Sequence, residues 1–180
     1  DQTLIKEGAS SDGMFVIVRG KVRITVDDRV VEVLGAGDVV GEMGVLTKQK
    51  RTATVTAESP CTVMWISAQK IRKAMAMAEN LESNLWEYAA ARYAENLLYE
   101  KEPYNSWNQK EFRDWAASGN IRNVKEGETI RLGTHVGILL KGQVYQQDGK
   151  ERKIAPTLLQ DGDVVSEGSA KIFLCAKQKE

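Results

Sequence analysis

Between Val40 and Thr54 the sequence runs Val-Gly-Glu-Met-Gly-Val-Leu-Thr-Lys-Gln-Lys-Arg-Thr-Ala-Thr, and it concentrates groups that hold a phosphate. Gly41 and Gly44, on either side of Met43, let a backbone approach an anion with no Cβ in the way. A short helical turn entered through Gly41 presents unpaired N–H groups to such an anion. Arg51, at the far end of the loop, carries a planar fork of donors suited to two phosphate oxygens. The Glu42 carboxylate accepts from a sugar hydroxyl. Thr52 adds a hydroxyl donor, and Ala53 closes the segment. A structural Gly-Glu turn followed by a surface arginine is the bland alternative for the same letters.

The flanking residues read as short strands joined by turns. Thr3-Leu4-Ile5 is strand-like, and Met14 to Val18 is an apolar run ending at Arg19-Gly20. Lys21 to Val26 alternates with period two, Asp27-Asp28 is a hairpin turn, and Val30 to Leu34 is the return strand. Gly35 to Asp38 is a second turn. Thr52 to Ala57 and Cys61 to Ile66 follow as further strands. Short strands at this spacing predict a sandwich, roll or barrel. From Ser67 to Glu102 there is neither Gly nor Pro. Ser67 is placed as an N-cap for a helix over 68–78, and a longer helix begins near Leu81 and ends before Pro103. Residues 107–117 predict one more short helix, closing at Gly119.

Residues 121–180 return to strands and echo the first part. Lys6-Glu7-Gly8 recurs as Lys125-Glu126-Gly127. Arg19-Gly20 recurs as Lys141-Gly142, and Gly37-Asp38-Val39-Val40 as Gly162-Asp163-Val164-Val165. After the last of these comes Ser166-Glu167-Gly168-Ser169-Ala170, with no Gly-Glu pair and no arginine. The expected fold is α+β and mainly β. It has a β-roll over 3–66 with helices over 67–102, a helical linker over 103–120 and a second, degenerate β-roll over 121–180. The second roll, lacking these groups, is expected to bind no such phosphate ligand.

Gly41-Glu42, Leu46 and Arg51-Thr52-Ala53, at these mutual spacings, resemble the phosphate-binding cassette of cyclic-nucleotide-binding domains. The resemblance covers about residues 3–100 and includes the Gly8, Gly20 and Gly37-Asp38 turns. It implies that Gly41, Glu42, Met43, Gly44, Arg51, Thr52 and Ala53 contact cAMP or, alternatively, cGMP. Glu42 would then meet the ribose, and Arg51 with the glycine-entered turn would meet the phosphate. Thr52 is compatible with either base. It further implies that the long helix is a lid whose Arg92 contacts the base. Trp86, Tyr88 and Tyr93 are placed either to stack on the base or to pack in the core. The family's usual aromatic before the first cassette glycine is Val40 here.

Composition narrows the alternatives. In a chain of 180 residues, Lys+Arg and Asp+Glu are both 25, and this balance argues against a nucleic-acid partner. One histidine, His135, and two distant cysteines, Cys61 and Cys175, are too few for a zinc or iron centre, so no metal is expected. The cysteines read as buried thiols. A cupin-like enzyme on the same roll would need such ligands, and a non-enzymatic role is expected. No apolar run approaches the roughly 18–20 residues that span a bilayer. The chain opens inside a strand-like run and reads as part of a longer polypeptide.

A nucleotide roll followed by a degenerate roll is similar to the cytosolic tail of sperm-type sodium/proton exchangers and their plant salt-tolerance relatives. That likeness implies a membrane-transport domain in the same polypeptide and a place on the cytoplasmic side of a membrane. A regulatory domain of a channel or kinase, or a ligand-free dimerisation module forming a homodimer, is the alternative.

Overall fold

The structure is a computed structural model that describes residues 2–98, 100–147 and 151–178. Its contacts divide the chain into two units, Asp1–Leu85 and Trp86–Glu180.

The first unit is built on two sheets. In chain order its strands are β1 (Thr3–Ile5), β2 (Gly13–Arg19), β3 (Val22–Val26), β4 (Arg29–Leu34) and β5 (Val39–Val40). After the short helix α1 (Glu42–Thr47) come β6 (Thr54–Ala57) and β7 (Thr62–Ser67). One sheet has the order β1-β6-β3-β4 and the other β5-β2-β7, all antiparallel. Asp27 and Asp28 both take positive φ, 47° and 63°, the geometry of a tight hairpin whose twist matches its strands. Ile5, Ile17, Val22, Ile24, Leu34, Val40 and Val55 form the core between the sheets. Val40, the departure from the family's aromatic, is one of these core residues.

Ser67 caps α2 (Ala68–Met77), its side chain accepting from the Lys70 N–H at 3.3 Å. The helix α3 (Leu81–Leu98) follows, and the contact boundary falls within it. The helical pattern runs on to residue 102, whereas the contacts divide at Leu85. No helix among the described residues is long and apolar enough to cross a membrane.

The segment expected as a linker is folded into the second unit. Asn108 opens α4 (Gln109–Ala117) with a full capping box, its side chain accepting from the Lys110 and Glu111 N–H groups while Glu111 reaches back to the Asn108 N–H. Tyr104, Trp107, Phe112, Trp115 and Phe173 stack in one aromatic cluster, and Trp115 Nε1 donates to the Ala176 carbonyl at 2.8 Å. The strands are β8 (Asn120–Val124), β9 (Thr129–Arg131), β10 (His135–Gln146), β11 (Arg152–Ile154), β12 (Thr157–Leu159) and β13 (Asp163–Ala176). They form one sheet in the order β11-β10-β13-β8, with β12 on β10 and β9 on β13.

The two units repeat a backbone device. The Gly8 N–H donates to the Arg51 carbonyl at 2.9 Å, and the Arg51 N–H donates to the Ala9 carbonyl at 2.9 Å. In the second unit the Gly127 N–H donates to the Ser166 carbonyl at 2.9 Å, and the Ser166 N–H donates to the Glu128 carbonyl at 3.1 Å. Gly8 and Gly127 share positive φ, 76° and 73°, as do Gly20 and Gly142, 89° and 91°. Ser166 thus stands where Arg51 stands. Residues 41–50 separate Val40 from Arg51, whereas Val165 and Ser166 are adjacent. The second roll has lost the α1 segment and runs straight on as β13.

Candidate functional site

Gly41 enters α1 at φ 83° and ψ 7°, a left-handed conformation that glycine adopts without penalty. Lys48 leaves the helix in the same region, its N–H returning to the Gly44 carbonyl at 3.0 Å. Thr47 Oγ1 donates to the Met43 carbonyl at 2.7 Å and tightens the turn. Met43, Val45 and Leu46 are buried and anchor α1 to the roll. Glu42 is also buried, with 4% exposure, and its charge is felt by Arg51.

Arg51 is the centre of the site. It is only 7% exposed. Its Nη1 donates back across the loop to the Gly41 carbonyl at 2.9 Å, and its Nη2 meets Asp12 Oδ1 at 3.3 Å. Asp12 is largely open to solvent, so this pair tethers the guanidinium more than it neutralises it. Burial pulls the guanidinium below the usual arginine range, while Asp12 and then Glu42 pull it up. An arginine starts so far above neutrality that it keeps its charge. A guanidinium has five N–H donors, and these two partners leave donors for an anion.

The glycines earn their place by contact. A Cβ on Gly41 would lie 2.5 Å from Arg51 Nη1 and 2.8 Å from Ile5 Cδ1. A Cβ on Gly44 would run into Ser11 Oγ and would lie 3.4 Å from the same Nη1. The bare backbone at 41 and 44 is what lets the guanidinium fold over α1.

The structure gathers Gly41, Glu42, Met43, Gly44 and Arg51 around this turn. Thr52 and Ala53 leave it in a bend, so β6 begins at Thr54 and not at Thr52. Ala53 packs against the first core and Thr52 is half-buried. Arg92 lies on α3 in the second unit, its guanidinium 5.7 Å from the Tyr88 ring centre. Trp86 is 2% exposed with Lys171 Nζ 5.0 Å over its ring, and Tyr93 is buried, so both have the packing of core residues. Sequence reasoning missed Ser11 and Asp12, which reach the site from the loop before β2. The polar run Ser10-Ser11-Asp12 ahead of an apolar strand was the available signal.

A β-roll that folds a glycine-entered turn under a buried arginine has donors and charge suited to an anion. Comparison with known families agrees: residues 1–77 match the cyclic nucleotide-binding domain. Among curated proteins, a cGMP-dependent protein kinase from Toxoplasma gondii is 37% identical over 57 residues, which is 32% of this chain and 6% of that one. The cAMP-activated global transcriptional regulator CRP of Salmonella typhimurium is 34% identical over 77 residues, 39% of this chain and 37% of that one. The chain thus spans well under two thirds of these relatives. A solved structure of the regulatory domain of Toxoplasma gondii PKA with cAMP is similar over 97% of this chain and 74% of that chain, at 18% identity and a TM-score of 0.43. That superposition is loose, and the fold rests on the strand pairings given above.

Proposed function

We propose that the first unit binds cAMP, or alternatively cGMP, and that the chain is a regulatory sensor rather than a catalyst. The observation that carries the reading is Arg51, buried, charged and folded over Gly41 and Gly44 inside a cyclic nucleotide-binding domain. Met43 packs the turn, Glu42 takes the ribose hydroxyl, and Thr52 and Ala53 line the exit from the phosphate. Arg92 enters this reading through the family resemblance alone. The two curated relatives named above are described with cGMP in one case and cAMP in the other, so both nucleotides stand as candidate ligands.

A sensor acts only through differential affinity for two states. A swing from 1:99 to 99:1 needs about 5.5 kcal/mol of preference. One charge-assisted hydrogen bond contributes roughly 1.5–3 kcal/mol. Arg51 alone therefore gives a partial bias, and further ligand contacts complete the switch.

The effector is open between classes. The order of the two rolls is the whole support for a sodium/proton exchanger and for a place beside a membrane; neither named relative is a transporter. A kinase-type regulatory role fits the cGMP-dependent kinase equally well. A homodimer belongs to the same reading, with a single nucleotide site per chain.

The test is calorimetric titration of the chain with cAMP and cGMP in parallel, repeated on Arg51→Ala. The variant is expected to bind at least tenfold more weakly. Unchanged affinity would remove Arg51 from the site, and no heat with either nucleotide on the unaltered chain would remove the function.

A further inference from the structure

We infer that Ser11 is a phosphate-binding residue of this site, its hydroxyl donating to the same exocyclic oxygen that Arg51 holds. The inference rests on the cyclic-nucleotide reading of the site and adds a residue from outside the cassette.

Ser11 Oγ is buried and has no hydrogen-bond partner. Buried hydroxyls are nearly always paired, so an orphan needs a cause. Its position supplies one. The hydroxyl and Arg51 Nη1 both lie within 3.4 Å of one point, the place where Gly44 would carry a Cβ. A side chain at 44 would collide with the hydroxyl; glycine lets the hydroxyl and the charged donor approach the same stretch of α1 backbone. The loop holding Ser11 is fixed at that distance. Its neighbour Asp12 holds Arg51 Nη2 at 3.3 Å, and the Asp12 carbonyl accepts from the Ala68 N–H at 2.8 Å. Arg51 in turn donates its backbone N–H to Ala9 in the same loop at 2.9 Å. A serine hydroxyl carries one proton and turns freely about its Cβ–O bond. An anionic oxygen bound by Arg51 is the acceptor this arrangement lacks. The orphan hydroxyl is then a ligand-binding group.

A diester phosphate has two exocyclic oxygens, and sulfur is a weaker acceptor than oxygen. Placing sulfur at the shared position forfeits the Ser11 bond; placing it at the other position does not. The chain therefore discriminates between the two phosphorothioate diastereomers of cAMP, and part of that discrimination belongs to Ser11.

The experiment titrates the unaltered chain, Ser11→Ala, Ser11→Cys and Arg51→Ala with cAMP and with each diastereomer, and melts each variant without ligand. Ser11→Ala and Ser11→Cys are expected to bind cAMP about tenfold more weakly. The affinity ratio between diastereomers narrows in both, and the ligand-free Ser11→Ala melts no lower than the unaltered chain. If both variants keep the original affinity and ratio while Arg51→Ala loses binding, Ser11 is a packing residue and the cyclic-nucleotide reading survives without it. A lowered melting point with an unmoved ratio has the same meaning. If the unaltered chain binds no nucleotide, the site reading itself falls, and the Ser11 inference with it.

Discussion

Replacing Gly41 by Ala separates what the backbone contributes from what the guanidinium contributes. Two costs arise. The first is conformational: a residue with a Cβ at φ 83° loses roughly 1–2 kcal/mol to the left-handed backbone. The second is steric, since the new Cβ would sit 2.5 Å from Arg51 Nη1. That atom is the tip of a long side chain, so the contact is relieved by moving the guanidinium. Moving it breaks the 2.9 Å bond to the Gly41 carbonyl and takes the donors away from the phosphate position. The steric cost therefore appears mainly as lost affinity and the conformational cost as lost stability. Gly37→Ala is the control. Gly37 has φ 96° and nothing within 4 Å of its Cβ position, so it bears the backbone cost without the collision. Both variants are expected to lose about 1–2 kcal/mol in chemical denaturation. Only Gly41→Ala is expected to bind nucleotide at least tenfold more weakly in calorimetric titration. Equal affinities for the two variants would refute the claim that Gly41 exists to admit Arg51.

Two further predictions concern the second unit. Burial pushes the Cys175 thiol above its ordinary value of 9.0, and burial likewise raises Tyr104 above 10.0. The folded state holds these protons more tightly than the unfolded chain, so their stabilisation is complete below pH 9 and falls away as the pH rises beyond it. Denaturation midpoints should decline on the alkaline side and decline less in Cys175→Ala; an identical slope would exclude the thiol. Ser166→Arg places the missing arginine at its counterpart position, but Ser166 is 2% exposed and the new charge would be buried there. A loss of about 3 kcal/mol or more is expected, with nucleotide stoichiometry unchanged at one per chain; a second binding event would show that the cassette helix is dispensable.

Much of this was legible in the sequence because it is written locally. The Asp27-Asp28 turn, the Ser67 cap and the glycines at 8, 20 and 37 each act on their own stretch of backbone, and residue type there reports conformation directly. Arg51 was legible as well, since its partner Gly41 lies only ten residues away in the same loop. What was not legible depends on distance along the chain. Asp12 meets Arg51 across 39 residues and Ser11 meets the bare backbone of Gly44; the polar run at 10–12 marks a loop but does not say what it touches. The division of contacts inside α3 was not legible for a related reason. The pattern of α3 is continuous from Leu81 to Leu98, but its later half packs in the second unit, with Trp86 beneath Lys171 of β13.

The comparison of the two rolls explains why a cassette is needed and an arginine is not enough. In the first roll the chain leaves β5 at Val40, and α1 interrupts the run of strands before β6. The backbone around Gly41 is thereby withdrawn from the sheets and can face a ligand. In the second roll no such detour exists. Val165 pairs with Tyr145 on one side and Thr129 on the other, and Ser166 pairs with Val144. The backbone at the deletion point is used in ladders on both sides, and none of it remains to meet an anion. Ser166 also turns its hydroxyl inward, donating to the Gly168 carbonyl at 2.6 Å. The hydrogen bonds shared by Gly8 with Arg51 and by Gly127 with Ser166 show that the surrounding roll tolerates either state. Binding is therefore a property of the inserted turn and the loop that clamps it, while the roll itself is a frame that stands without them.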